Sequence, residues 1–149
     1  MPADPRDSDL TPAPWAAARR VLITGGTRGI GRGIAERFLL TGAHVVVCGR
    51  KEPESTITAG GDGAVFMQAD IRDPDAVAQM MEAIVQKFGG IDVVVNNAGG
   101  SPPAEAAAAS PRFSAAIIAL NLTAPLLVAQ AANHHICLLY TSDAADDTP

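Results

Sequence analysis

The stretch TGGTRGIG, Thr24 to Gly31, separates a short apolar run from an amphipathic one, and its reading decides the fold. Before it, RVLIT is rich in β-branched residues and stops on glycine, as a buried strand does. After it, GIGRGIAERFLL brings Ile30, Ile34, Ala35, Phe38 and Leu39 to one helical face, and Gly42 stops the helix. Glycines at 25, 29 and 31 allow a tight turn and close approach of a ligand to bare backbone. The helix N-terminus that follows offers unpaired N–H groups and the positive end of a dipole, together a seat for phosphate. Two other phosphate loops are excluded. Gly31 is followed by Arg32 and Gly33, not by the Lys-Ser/Thr of kinases and ATPases, and the spacing G-x-x-x-G-x-G is not G-x-G-x-x-G.

Working outward, AHVVVCG is a second buried strand, Lys51 to Gly63 a polar loop, and AVFMQAD a third strand. In RDPDAVAQMMEAIVQKFGG, Asp73 can cap, Pro74 fits the first turn, and Val77, Met80, Met81, Ile84, Val85 and Phe88 make one stripe that ends before Gly89. IDVVVNNAGG is a fourth strand running into a turn. A loop with Pro102 and Pro103 leads to a last long helix from about Pro111 to about Asn133. Continuously apolar strands alternating with helices predict an α/β fold, a doubly wound parallel sheet covered on both faces. Ligands of such sheets sit beyond the carboxyl ends of the strands, where Gly25, Asp70 and Asn96 fall. Asp70 also reads as a turn or capping carboxylate. Asn96 and Asn97 also read as a turn satisfying its own backbone, and Asn121 as a mid-helix polar group bonding within the core.

The chain has 149 residues, 48% of them apolar and 18% charged, which suits one globular domain with a core of Val, Ile, Leu and Ala. A net charge of −5 gives no electrostatic reason to bind nucleic acid or an anionic membrane. Cys48 and Cys137 have no metal or redox spacing, and His44, His134 and His135 share no face for a metal, so no metal is expected. Residues 1–18, acidic and proline-rich, read as a disordered leader rather than a signal peptide, with cytoplasm as the expected location. The uncharged stretch from Phe113 to Ile136 is interrupted by Asn121, Pro125, Gln130 and Asn133, so it reads as a buried or oligomer-facing helix, not a membrane span.

Four motifs in order resemble those of the short-chain dehydrogenases/reductases of the classical type, over about Arg20 to His135. Thr24-Gly25-x-x-x-Gly29-Ile30-Gly31 resembles the family's cofactor loop. Asp70-Ile71 is similar to the pair that holds the adenine, and Asn96 to Gly99 (NNAG) to the motif that stabilises the sheet and lines the cofactor. Asn121 in ALNLTAP resembles the asparagine that kinks the following helix and joins the catalytic tetrad. The resemblance implies a Rossmann-type fold, cut to about four strands and three helices. It implies hydride transfer between a nicotinamide and a carbonyl or secondary alcohol, with the 3-oxoacyl-carrier-protein reductases as one branch. Gly25, Arg28, Gly29, Ile30 and Gly31 would take the pyrophosphate side, Asp70 and Ile71 the adenine, and Asn96, Ala98 and Gly99 the path to the nicotinamide. The second strand ends on Gly49-Arg50 without the acid that bonds the ribose of NAD; Arg50 and Arg28 offer phosphate a cation, so NADP is expected over NAD. The last helix is expected to meet its copy in another subunit.

The family's reaction also needs a serine and Tyr-x-x-x-Lys. Tyr140 has Ala144 four residues on, and Lys51 and Lys87, the only lysines, precede the last helix, so Tyr140 is not the catalytic tyrosine. CLLYTSDAAD, from Cys137, resembles the translation of a sequencing adapter. Residues 19–136 are therefore expected to form a partial NADP-binding domain, 137–149 a non-native tail, and the chain to be inactive. The rival reading is a complete, non-catalytic protein that senses NADP.

Overall fold

The computed structural model describes residues 16–136. The expected tail, Tyr140 included, lies outside the described residues. Strands β1 (Arg20–Thr24) and β2 (His44–Gly49) pair in parallel in the register Val21↔Val45 to Thr24↔Cys48 and form the centre of a four-stranded sheet. Between them runs α1 (Gly29–Leu40). After β2 come a two-residue hairpin, β3 (Thr58–Ala59) and β4 (Asp62–Gly63), and then β5 (Val65–Gln68). Helix α2 (Pro74–Phe88) leads into β6 (Val93–Val95). The sheet order is β5-β2-β1-β6, all parallel, as a Rossmann-type α/β fold requires.

Alternate side chains leave the central strands on opposite faces, because the side-chain period of a strand is two. Val21, Ile23, Val45 and Val47 pack with Ala35 and Leu39 of α1. Leu22, Val46 and Cys48 pack on the other face with Val77, Met80, Met81 and Ile84 of α2. Asp73 caps α2 as expected, its carboxylate accepting from the Asp75 N–H at 3.0 Å, and Gly89 ends the helix in the left-handed conformation.

Four expectations need correction. Ile30 is not on the packed face of α1: it is 79% exposed at the helix's first turn, while Ala35 and Leu39 are buried. The polar loop from Lys51 to Gly63 contains the β3–β4 hairpin and buries Ile57, whose apolar side chain joins the α1-side core. The last helix is not uniform. It runs as α3 (Pro111–Ile118), a π-helical turn at Ala119–Thr123, and α4 (Ala124–Asn133). The expected leader overlaps the fold, since Ala16 is buried and the Ala18 N–H donates to the Gly42 carbonyl at 3.0 Å.

Helix α4 buries Ala124, Val128 and Ala132 against the α2 side of the core. Pro111–Asn133 is long and apolar enough to cross a membrane, with a mean hydropathy of 1.8 over its most apolar window, of which only 17% is buried. Its outward side carries Ile118, Leu122 and Leu126, all more than half exposed. At the opposite end of the sheet, Asp92 takes the Arg20 backbone N–H, its Nε and its Nη2 at 2.7–2.8 Å. These bonds, chiefly from the Arg20 side chain, hold the Asp92 carboxyl down at about 2.

Candidate functional site: the glycine bend and the strand exits

The chain leaves β1 through Thr24, a buried polar residue whose hydroxyl is fully used. Its Oγ1 accepts from the N–H groups of Asn97 (3.1 Å) and Ala98 (3.0 Å) and donates to the Val95 carbonyl (3.4 Å). In return the Asn97 amide donates to the carbonyls of Thr24 (2.9 Å) and Gly25 (3.3 Å). The exits of β1 and β6 are thereby stitched together. The resemblance of NNAG expects this stretch to stabilise the sheet, but that Thr24 is the partner of Asn97 does not follow from the sequence pattern, because the two lie more than seventy positions apart. A threonine at the dry end of an apolar strand was the available signal.

Around this stitch there is no room for side chains. A Cβ on Gly25 would meet the Ala98 Cα at 2.9 Å, and one on Gly31 would strike the Asn97 amide nitrogen and the Gly25 carbonyl oxygen. Gly29 differs: its φ is +54°, and a Cβ there would meet nothing within 4 Å. It opens α1, whose N-terminus no side chain caps. Uncapped amides at a helix start, facing open space, suit an anion. That open, amide-lined bend fits the diphosphate of a dinucleotide. Ile30, beside it, is exposed rather than packed in the core.

Cations flank the bend. Arg28 precedes α1 and Arg50 follows β2; both are exposed, and neither side chain makes a hydrogen bond or ion pair among the described residues. The Arg50 backbone is fixed, its carbonyl accepting from Gln68 Nε2 at 3.1 Å. Arg32 and Arg72 are engaged elsewhere. Arg72 grips Asp70 through its backbone N–H and Nε, both to Oδ1, and through Nη2 to Oδ2. These bonds hold the Asp70 carboxyl at about 2, with Arg50 adding a smaller attraction. Asp70 is thus an ionised turn carboxylate with an arginine partner, and Ile71 sends its side chain into the α2-side core, leaving its main chain to meet a ligand.

At the exit of β6, Asn96 is exposed and donates to the Pro125 carbonyl at 3.3 Å; Ala98 is half-buried and Gly99 exposed. Asn121 lies in the π-helical turn and is exposed, not enclosed in the core as a mid-helix amide was expected to be. Its Oδ1 accepts from the Gly100 N–H (2.8 Å), and its Nδ2 donates to the carbonyls of Gly100 (2.9 Å) and Ile117 (2.9 Å). A Cβ on Gly99 would fall 2.8 Å from that Oδ1, so the loop passes close over the amide. The structure therefore gathers Gly25, Gly29, Gly31, Asn96, Ala98, Gly99 and Asn121 around the strand exits. Beneath them Cys48 is buried, which pushes its thiol up to about 11 and leaves it inert.

A family profile described as short chain dehydrogenase matches residues 19–141. The chain is 41% identical over 88 residues to the L-fucose dehydrogenase of Oryctolagus cuniculus, covering 58% of this chain and 31% of that protein. Aldohexose dehydrogenase from Thermoplasma acidophilum superposes with a TM-score of 0.75 at 28% identity, over 83% of this chain and 46% of that one. A short chain dehydrogenase from Burkholderia cenocepacia, solved in complex with NADP, superposes with a TM-score of 0.74 at 34% identity, over 81% of this chain and 52% of that one. The chain thus spans from about a third to half the length of these relatives. With its sheet order, its glycine bend and the family profile all in agreement, the chain belongs to the short chain dehydrogenase family.

Proposed function

We propose that this chain is the cofactor-binding part of a cytoplasmic NADP-dependent oxidoreductase acting on a carbonyl or secondary alcohol. The observation that carries the cofactor reading is the uncapped start of α1 at Gly29, with Arg28 and Arg50 beside it, whose side chains make no hydrogen bond or ion pair among the described residues. When bound, NADP supplies or accepts the hydride. The residues here bind and orient: the amides at Gly29, Ile30 and Gly31 take the diphosphate, and Gly25, whose missing side chain lets the bend close onto Ala98, shapes that seat. Arg28 and Arg50 take the 2′-phosphate, where the planar fork of arginine makes two charge-assisted bonds. Asp70 keeps an acceptor for the adenine amine, since Oδ2 receives one bond from Arg72. The Ile71 main chain borders the same ring. Asn96, Ala98 and Gly99 line the way to the nicotinamide, and Asn121 holds that wall through Gly100.

Relatives named for L-fucose, a 3β-hydroxysteroid and an aldohexose support alcohol–carbonyl chemistry on a small molecule. The 3-oxoacyl-carrier-protein branch rests on the motif resemblance alone. The outward face with Ile118, Leu122 and Leu126 is the subunit contact of the intact protein. The second reading is a non-catalytic protein that binds NADP as a sensor. Both readings require NADP binding, and both give this chain negligible turnover.

Titration of NADPH and NADH into the wild type and Arg50→Ala, followed by nicotinamide fluorescence, tests the cofactor reading. The variant is expected to weaken NADPH about 10-fold or more, the worth of one charge-assisted phosphate contact, and to leave NADH within about twofold. Equal losses for both would overturn the phosphate assignment.

A further inference from the structure

Arg32 sits in the first turn of α1, where the helix dipole disfavours a cation. Its pairing with Glu36 at i+4 has the basic residue first, the weaker orientation for a helix pair. Helix electrostatics therefore gives a cation no advantage at this position. Its guanidinium is engaged at all three nitrogens. Nε donates to Glu36 at 2.9 Å, Nη1 to the Ser55 carbonyl (3.2 Å) and Oγ (3.0 Å), and Nη2 to the Thr56 carbonyl (3.1 Å). One planar fork thus satisfies two successive carbonyls of a segment 23 and 24 residues away.

That segment begins with Arg50 and Lys51. Upstream it is tied by Gln68 to the Arg50 carbonyl, and downstream by Ile57, buried in the α1-side core. We propose that Arg32 is a specificity-determining positioning residue: by strapping Ser55 and Thr56 to α1 it pre-organises Arg50 and Lys51 to receive the adenosine 2′-phosphate. The proposal rests on the NADP reading above. Its physical content is entropic. A cation on a fixed segment loses less freedom on meeting phosphate than one on a loose segment, so removing the strap weakens a ligand with the 2′-phosphate more than one without it. A lysine cannot replace the fork, because a single ammonium does not present parallel donors to two carbonyls.

The test measures NADPH and NADH affinity by calorimetry, and deuterium uptake of residues 51–57, in the wild type, Arg32→Ala, Arg32→Lys and Ser55→Ala. Arg32→Ala is expected to lower NADPH affinity about fivefold, to leave NADH within about twofold, and to speed exchange in 51–57 while the sheet amides stay protected. Arg32→Lys is expected to follow it and serves if the alanine variant is poorly folded. Ser55→Ala keeps both carbonyl bonds and is expected to match the wild type. If the wild type binds NADPH but both Arg32 variants keep its NADPH-to-NADH ratio, the proposal is overturned and the cofactor reading stands. Faster exchange with an unchanged ratio makes the strap structural only and also overturns it. If the wild type binds neither nucleotide, the cofactor reading fails and takes the proposal with it.

Discussion

Thr24 shows what single side chains do in this molecule. Its hydroxyl serves three backbone groups in a fully buried place, so Thr24→Val, which keeps the shape, leaves the Asn97 and Ala98 amides without their acceptor. The expected cost is roughly 1–3 kcal/mol, read as a lower urea midpoint with an unchanged slope. The glycines of the bend were legible in the sequence, because only their spacing between a strand and a helix has to be read. The resemblance of NNAG announced a sheet-stabilising stretch, but not that Thr24 would be its partner, since the two meet only once the sheet has formed. Asp70 was legible as an acid at a strand exit, but nothing in the motif announced that Arg72, two residues on, would hold both its oxygens.

At the level of elements, α2 was legible from cap to stop because its signals are local: Asp73, Pro74, the apolar stripe and Gly89 all act within one segment. In α1 the periodic pattern included Ile30, which the fold leaves exposed; periodicity cannot separate an apolar side chain facing the core from one left outside it. The alanine- and leucine-rich run around Ala119–Thr123 reads as continuous helix by its pattern, and only the resemblance of Asn121 to a helix-kinking asparagine pointed to the irregularity found there as a π-helical turn. Helix α1 also carries a residue that no contact requires. Gly33 is exposed at a helical position, and a Cβ there would meet nothing within 4 Å. Gly33→Ala is expected to stabilise the fold by about 0.5–1 kcal/mol, mostly by restricting the unfolded chain, measurable as a higher melting temperature.

For the molecule as a whole, acid weakens the clamp between β1 and the start of β6. The carboxyls of Asp92 and Asp70 sit at about 2, below the roughly 3.9 of an unfolded chain. Folded pKa values lowered in this way give stability that is complete above about pH 4 and fades as pH falls towards 2. Asp92, only 12% exposed at the side chain, carries more of it than Asp70, 35% exposed. Asp92→Asn is expected to lower the urea midpoint at pH 7 and to flatten its decline between pH 4 and 2.5; an unchanged decline would assign the acid sensitivity elsewhere. The two side-chain layers on either side of the sheet have a different consequence. Ile23 belongs to one and Ile84 to the other, with β-backbone between them. Ile23→Val and Ile84→Val are each expected to cost about 1 kcal/mol, and the double variant the sum to within about 0.5 kcal/mol in a double-mutant cycle. The polypeptide wall insulates its two interiors from each other, so variation tolerated in one neither exhausts nor enlarges the latitude of the other.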